Sequence, residues 1–144
     1  MPSHSEIREL PYTAEQMHSL VLDIEKYPEF LPWCTNARIL SRDLNKNIIL
    51  ADLVIGFKAF SETFTSSVYF ETPELIVVNF EKGPFKYLMN NWRFCSIGSR
   101  CNVSFDIDFE FQSRILRAVM APLFHEAVCR MVGAFESRAA HLYS

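Results

Sequence analysis

Glycine is nearly missing from this chain, with four in 144 residues, and none of them falls in a run able to cradle a phosphate. No HExxH or GxSxG pattern occurs either, so zinc-peptidase and serine-hydrolase chemistry have no local foothold. Cysteine is sparse: Cys34, Cys95, Cys101 and Cys129 show neither CxxC nor metal-ligand spacing. That spacing predicts free thiols in a reducing compartment, although Cys95 and Cys101 flank a turn and their pairing stays open. The four histidines (His4, His18, His125, His141) are scattered along the chain. No metal site is expected. Basic runs are absent, and a formal net charge of -3 with a pI near 5.8 argues against general attraction to phosphate backbones, hence against a DNA partner. No unbroken apolar run approaches the 18 or more residues of a membrane span. The opening residues Met1 to Glu6 carry neither a signal-peptide core nor an Arg-rich presequence. Repeats, linkers and low-complexity tracts are missing too, and the expectation is one domain over residues 1–144.

What the chain has in excess is phenylalanine, 13 in all, and a long periodic segment at its end. From Ser113 to Tyr143, Leu116, Met120, Leu123, Phe124, Ala127, Val128, Met131, Val132 and Phe135 recur at the three-and-four spacing of one broad helical stripe. About 30 helical residues span roughly 45 Å, too long for a rod buried in a small globule. The helix must lie across a sheet, with a kink where Pro122 interrupts it.

The rest of the chain supplies that sheet. Ser5 to Tyr12 reads as a first strand. Thr13 and Gln16 have capping-box spacing ahead of a helical face through Asp23, and the prolines at 28 and 32 allow at most one further short helix. Period-two segments follow at Ala37–Ser41, Ile48–Phe57, Phe60–Phe70, Leu75–Glu81, Tyr87–Ile97 and Asn102–Phe111. The last is the cleanest: Val103, Phe105, Ile107, Phe109 and Phe111 alternate with polar residues, as a sheet with one wet face requires. The connections between these strands are too short for crossovers. The predicted class is therefore α+β: a curved, seven-stranded antiparallel sheet gripping a long C-terminal helix, with two short helical pieces after strand 1.

Large rings on both surfaces either interdigitate or leave a lined space. A cavity is the expectation, walled by Val54, Phe64, Trp92, Phe94, Phe109, Leu116, Met120 and Phe124. In a meander, alternate turns share an edge, which brings Gly56–Ala59, Lys82–Lys86 and the approach to strand 2 together. Trp33, Phe57, Lys58, Phe85 and Lys86 at that edge are the candidate mouth and membrane contact: rings for the acyl boundary, lysines for anionic headgroups. Catalytic groups are harder to find. Asp52 and Glu62 lie on neighbouring strands and would be functional only if they point inward and lose solvent; otherwise Glu62 pairs with Lys58 or Lys86. No catalytic residue is assigned.

At Tyr27-Pro28-Glu29-Phe30-Leu31-Pro32-Trp33-Cys34 the chain resembles the coenzyme Q-binding family of START-like, polyketide-cyclase-like proteins. The resemblance continues at Ala51–Phe57, Phe64–Ser66, Gly83–Leu88, Trp92–Phe94, Val103–Phe111 and Met131–Phe135, and so covers essentially the whole chain. It implies a helix-grip fold enclosing a lipid tunnel, and non-catalytic binding of a polyprenyl quinone such as ubiquinone in support of respiratory electron transport. It implies no other cofactor and carries over no catalytic residues. Some bacterial members are described instead as a toxin that blocks association of ribosomal subunits, which keeps the large subunit open as a partner. A cyclase or aromatase role, as in the wider superfamily, is the third alternative. The missing presequence resembles a bacterial member, placed in the cytoplasm or peripheral to the inner membrane.

Overall fold

The computed structural model of the chain describes residues 3–57 and 60–143. Seven strands, β1 (Ser3–Leu10), β2 (Cys34–Asp43), β3 (Ile48–Phe57), β4 (Phe60–Glu71), β5 (Leu75–Lys82), β6 (Phe85–Ile97) and β7 (Arg100–Phe111), form one sheet in the order β1-β7-β6-β5-β4-β3-β2. Every pairing is antiparallel. The alternation read in β7 holds: Cys101, Val103 and Phe105 are buried while Asp106 is exposed on the other side. Phe105, 1% exposed, alone contributes on the order of 2–3 kcal/mol of apolar burial.

Strand β1 lies at one edge and β2 at the other, so the chain between them must cross the whole sheet. It does so through α1 (Ala14–Leu22) and a 3-10 turn (Ile24–Glu29). Helix α1 starts as its sequence dictates. The Thr13 hydroxyl accepts from the Gln16 backbone at 3.1 Å and the Gln16 amide oxygen accepts from the Thr13 N–H at 2.9 Å, a cap worth about 1 kcal/mol. The 3-10 turn Ile24–Glu29 includes Pro28 as its fifth residue instead of lying between the two prolines, and the chain leaves it one residue later. Strand β2 is twice the predicted length; bulges at Cys34/Asn36 and Ile39/Ser41 break the alternation that marks a strand.

The terminal stripe is two helices: α2 (Arg114–Met120), a 3-10 turn (Ala121–Leu123) and α3 (Phe124–Tyr143). Pro122 causes the break, since it removes a backbone donor at that point. By length and composition Arg114–Tyr143 is apolar enough to cross a membrane. Here α3 lies across the sheet with Val128, Val132, Phe135 and Ala139 buried. Its far side is tied to β1, where Arg8 Nη1 donates to Glu136 at 2.6 Å. The thiols are free: Cys95 is exposed on the outer face and Cys101 buried on the inner one, so the flanking turn does not make them face each other.

Candidate functional site

A cavity of about 240 Å³ lies between the inner face of the sheet and the last helices. Its sheet side is built from alternate residues of β3 to β7, among them Leu53, Phe64, Val78, Leu88, Trp92 and Phe109. The helical side is Met120, Phe124, Ala127, Val128, Met131 and Phe135, one face at the three-and-four spacing read from the sequence. Leu31, Pro32, Trp33 and Cys34 close the remaining wall. That loop is clamped to α3: the Arg130 guanidinium lies 5.4 Å from the Trp33 ring centroid and Arg138 lies 5.1 Å from that of Phe30. Arg138 also donates to Glu29 at 2.9 Å. Trp33 itself holds a left-handed backbone (φ 66°), a conformation costly for an aromatic residue and kept only where its surroundings impose it.

Of the eight expected wall residues, Phe64, Trp92, Phe109, Met120 and Phe124 stand around this space. Val54, Phe94 and Leu116 do not. Val54 points to the outer face, opposite Thr63; its neighbours Leu53 and Ile55 line the cavity instead. Phe94 is on the inner face but lies under α1, 5.5 Å from the His18 ring. Leu116 is buried one turn before Met120 on α2. The helix stripe had the spacing to reveal Ala127, Met131 and Phe135; nothing in the sequence singles out Ser66 and Asn90, which also face the cavity.

At the expected mouth, backbone bonds gather the predicted segments. Gly56 N donates to Trp33 O at 2.8 Å, and Gln112 N donates to Pro84 O at 2.9 Å. Trp33 and Phe85 both line the cavity. Phe85, however, is 3% exposed, stacked on Phe111 at 5.0 Å and edge-on to Phe64 and Phe109. It seals that end and offers no ring to a bilayer. The bulge between Phe85 and Tyr87 turns it inward, while Lys86 stays exposed. Lys58 and the Phe57 side chain lie outside the described residues.

The electrostatics of the wall are simple, because no residue lining it carries a formal charge. Asp52 is on the outer face, accepting from the Thr65 hydroxyl and 4.0 Å from Arg38; Glu62 is exposed. Neither reaches the cavity. The titratable groups on the wall are Tyr27 and Cys34. Burial raises the Tyr27 phenol far above its usual range, and its hydroxyl donates to Val21 O. Burial likewise pushes the Cys34 thiol up to about 11. Both stay protonated at neutral pH. Among the described residues no group of histidine, cysteine or carboxylate side chains is placed to hold a metal ion.

A curved antiparallel sheet closed by a long helix over an apolar cavity is the helix-grip architecture of START-like proteins, and the comparisons agree. Residues 10–136 match the family described as polyketide cyclase / dehydrase and lipid transport, and the chain belongs to that family. The ribosome association toxin RatA of Escherichia coli (strain K12) is 36% identical over 145 residues, covering 100% of this chain and 90% of that protein. The mitochondrial coenzyme Q-binding protein COQ10 homolog B of Xenopus laevis is 31% identical, covering 97% of this chain and 59% of that protein. Among solved structures, a START superfamily protein from Mycobacterium smegmatis superposes with a TM-score of 0.83 over 97% of this chain and 98% of that one, at 22% identity; it speaks for the fold alone.

Proposed function

We propose that this protein is a non-catalytic carrier that holds a polyprenyl quinone such as ubiquinone between its sheet and last helices, in support of respiratory electron transport. One observation carries the reading: a cavity wall that is apolar around nearly its whole circumference and free of formal charge. Such a wall rewards burial of hydrocarbon, up to roughly 4 kcal/mol gross per five-carbon isoprene unit, less the substantial costs of ordering and association. It also withholds the acid–base pair that a cyclase or aromatase would need, since the wall's phenol and thiol are both held in their protonated forms. The coenzyme Q-binding relative supports the choice of ligand class. At about 240 Å³ the space is just below the roughly 300–1,000 Å³ of drug-sized sites. It therefore takes a head group and the beginning of a tail. Loading takes place at the cytoplasmic surface of a membrane.

The test is solvent extraction of gently purified protein followed by mass spectrometry. A polyprenyl quinone at near-stoichiometric amount is expected; recovery of bulk phospholipid in its place, or of nothing, overturns the proposal. A ribosome-directed role is the second reading, favoured by the full-length match to a protein named as a ribosome association toxin. It predicts that added protein changes the subunit profile in a sucrose gradient, and that mutating the cavity leaves that change intact.

A further inference from the structure

Two polar side chains interrupt the apolar sheet wall, and their hydrogen bonding is unequal to their capacity. Asn90 faces the cavity from β6. Its amide oxygen accepts the Trp92 indole N–H at 3.0 Å, and its amide nitrogen donates to the backbone oxygen of Asp106 at 2.9 Å. The Trp92 bond fixes which end of the amide is oxygen and which is nitrogen. A side-chain amide carries two N–H donors, so one remains for the cavity. Ser66, on β4, is 2% exposed and also lines the cavity. Its hydroxyl has no protein partner among the described residues, and it is not sealed off as an orphaned buried atom; it faces the space. The other polar groups of known use are spent: the Tyr27 hydroxyl on Val21 O and the Cys34 thiol on Asn36 O.

The register fixes how far apart the two donors are. Val68, which follows Ser66 on the same face of β4, pairs with Val78, and Val78 pairs with Asn90. Two strand spacings across the sheet and two residues along β4 separate Ser66 from Asn90, roughly 12 Å at the backbone, narrowed at the side chains by the concavity of the sheet. Two donors set apart along one apolar wall suit a flat body lying against that wall with an acceptor at each end. A carboxylate or phosphate headgroup finds no cation on this wall, and an ionised group without one is strongly disfavoured there. A pure hydrocarbon leaves both donors unmatched.

We infer that Asn90 and Ser66 form a head-group subsite that receives the two carbonyl oxygens of an oxidised p-quinone ring and thereby selects quinone over quinol. The inference rests on the reading of the cavity as a quinone site. Redox selectivity follows from the Trp92 bond. With one lone pair of its oxygen taken and its oxygen end held toward Trp92, Asn90 turns its free N–H toward the ligand, which suits a carbonyl. A quinol brings two O–H donors, for which the Ser66 oxygen is an open acceptor, whereas the Asn90 oxygen is turned toward Trp92 and is less well placed to accept. Trp92 is thus a positioning residue for Asn90.

The experiment is titration calorimetry of the full chain with three probes: ubiquinone-2, its quinol, and a diprenyl benzene without ring oxygens. The parent is expected to bind the quinone more tightly than either of the others. Ser66→Ala and Asn90→Leu should each weaken quinone binding about threefold to tenfold, the loss of one neutral hydrogen bond, and leave the diprenyl benzene within about twofold. Ser66→Ala leaves the Trp92 bond untouched and guards against a general repacking by Asn90→Leu. Equal losses for quinone and hydrocarbon, or unchanged quinone affinity in both variants, overturn the subsite and leave the carrier reading standing. A parent that binds all three probes equally does the same. A parent that binds none removes both.

Discussion

Gly83 sits directly on Phe64: a Cβ added at Gly83 would lie 2.5 Å from the Phe64 Cβ and 2.8 Å from its Cα. Its φ of 145° is also one that side-chain-bearing residues rarely adopt. The turn between β5 and β6 therefore packs against the strand carrying a cavity wall residue, at the end that Phe85 seals. Gly83→Ala must push β4 and this turn apart, and no flexible side chain can give way. The expected loss is about 2 kcal/mol or more, read as a lower urea midpoint. Gly98→Ala is the control, because nothing lies within 4 Å of its added Cβ, although its φ of 60° still carries strain. If Gly83→Ala loses no more than Gly98→Ala, the close approach carries no stability.

His18 sets a second expectation. It is 2% exposed, its Nε2 lies 3.2 Å from Leu75 O, and its ring is flanked by Phe70 and Phe94. Burial holds its pKa below the ordinary 6.5 despite the Leu75 hydrogen bond, which acts the other way. The unfolded chain then takes up the proton first as the pH falls. The contribution of His18 is complete above about pH 6.5 and is lost as the pH drops from there through the depressed folded value. Urea midpoints should decline from about pH 7.5 to about pH 5, and His18→Gln should flatten that decline. An equal slope in parent and variant would assign the pH dependence to other groups.

These two contacts differ in how legible they are. The capping pair Thr13 and Gln16, the alternation of β7 and the helical face from Phe124 to Phe135 are local patterns, and each appears in the structure as the sequence predicts. Val54 failed because β3 is apolar on both faces, so its parity cannot be read until its partners are known. Asp52 bonding Thr65 on the outer side is what fixes Leu53 and Ile55 inward. Phe85 failed because a bulge reverses the phase at that residue. Asn90 shares the parity of Leu88 and Trp92 and so falls on the wall by alternation, but beside Asn91 it looks like part of a polar pair, and nothing local marks it as a cavity residue.

The parity of β3 yields a sharp comparison. Leu53→Lys places an ammonium against the apolar wall, where it has no counter-ion. Val54→Lys, one residue on, points the same group to the outer face. Quinone recovered by solvent extraction should fall at least about tenfold in the first and stay near the parent level in the second. Both variants should show a cooperative thermal transition, checked by circular dichroism. Equal retention by Leu53→Lys and the parent would put the ligand elsewhere.

The proposed quinone is insoluble in water and needs a route in, and with Phe85 buried we expect the membrane contact at α2. Ile115 is 68% exposed and follows Arg114 at the start of α2, which the Gln112–Pro84 bond holds beside the β5–β6 turn with its exposed Lys86. An exposed branched aliphatic side chain next to basic groups suits the boundary of an anionic bilayer. Immersing Ile115 is worth about 1.5–3 kcal/mol, and each nearby basic residue about 1 kcal/mol at an anionic surface. Ile115→Asp should therefore cut co-sedimentation with anionic liposomes at least about tenfold, and Lys86→Glu about fivefold or more, with the Lys86 effect vanishing on neutral liposomes. Phe85→Ser reads differently: its ring is buried, so that variant should lose several kcal/mol of stability, as large core truncations do. Unchanged sedimentation of both Ile115→Asp and Lys86→Glu would remove this route of loading, since nothing else about the cavity depends on which surface the ligand crosses to reach it.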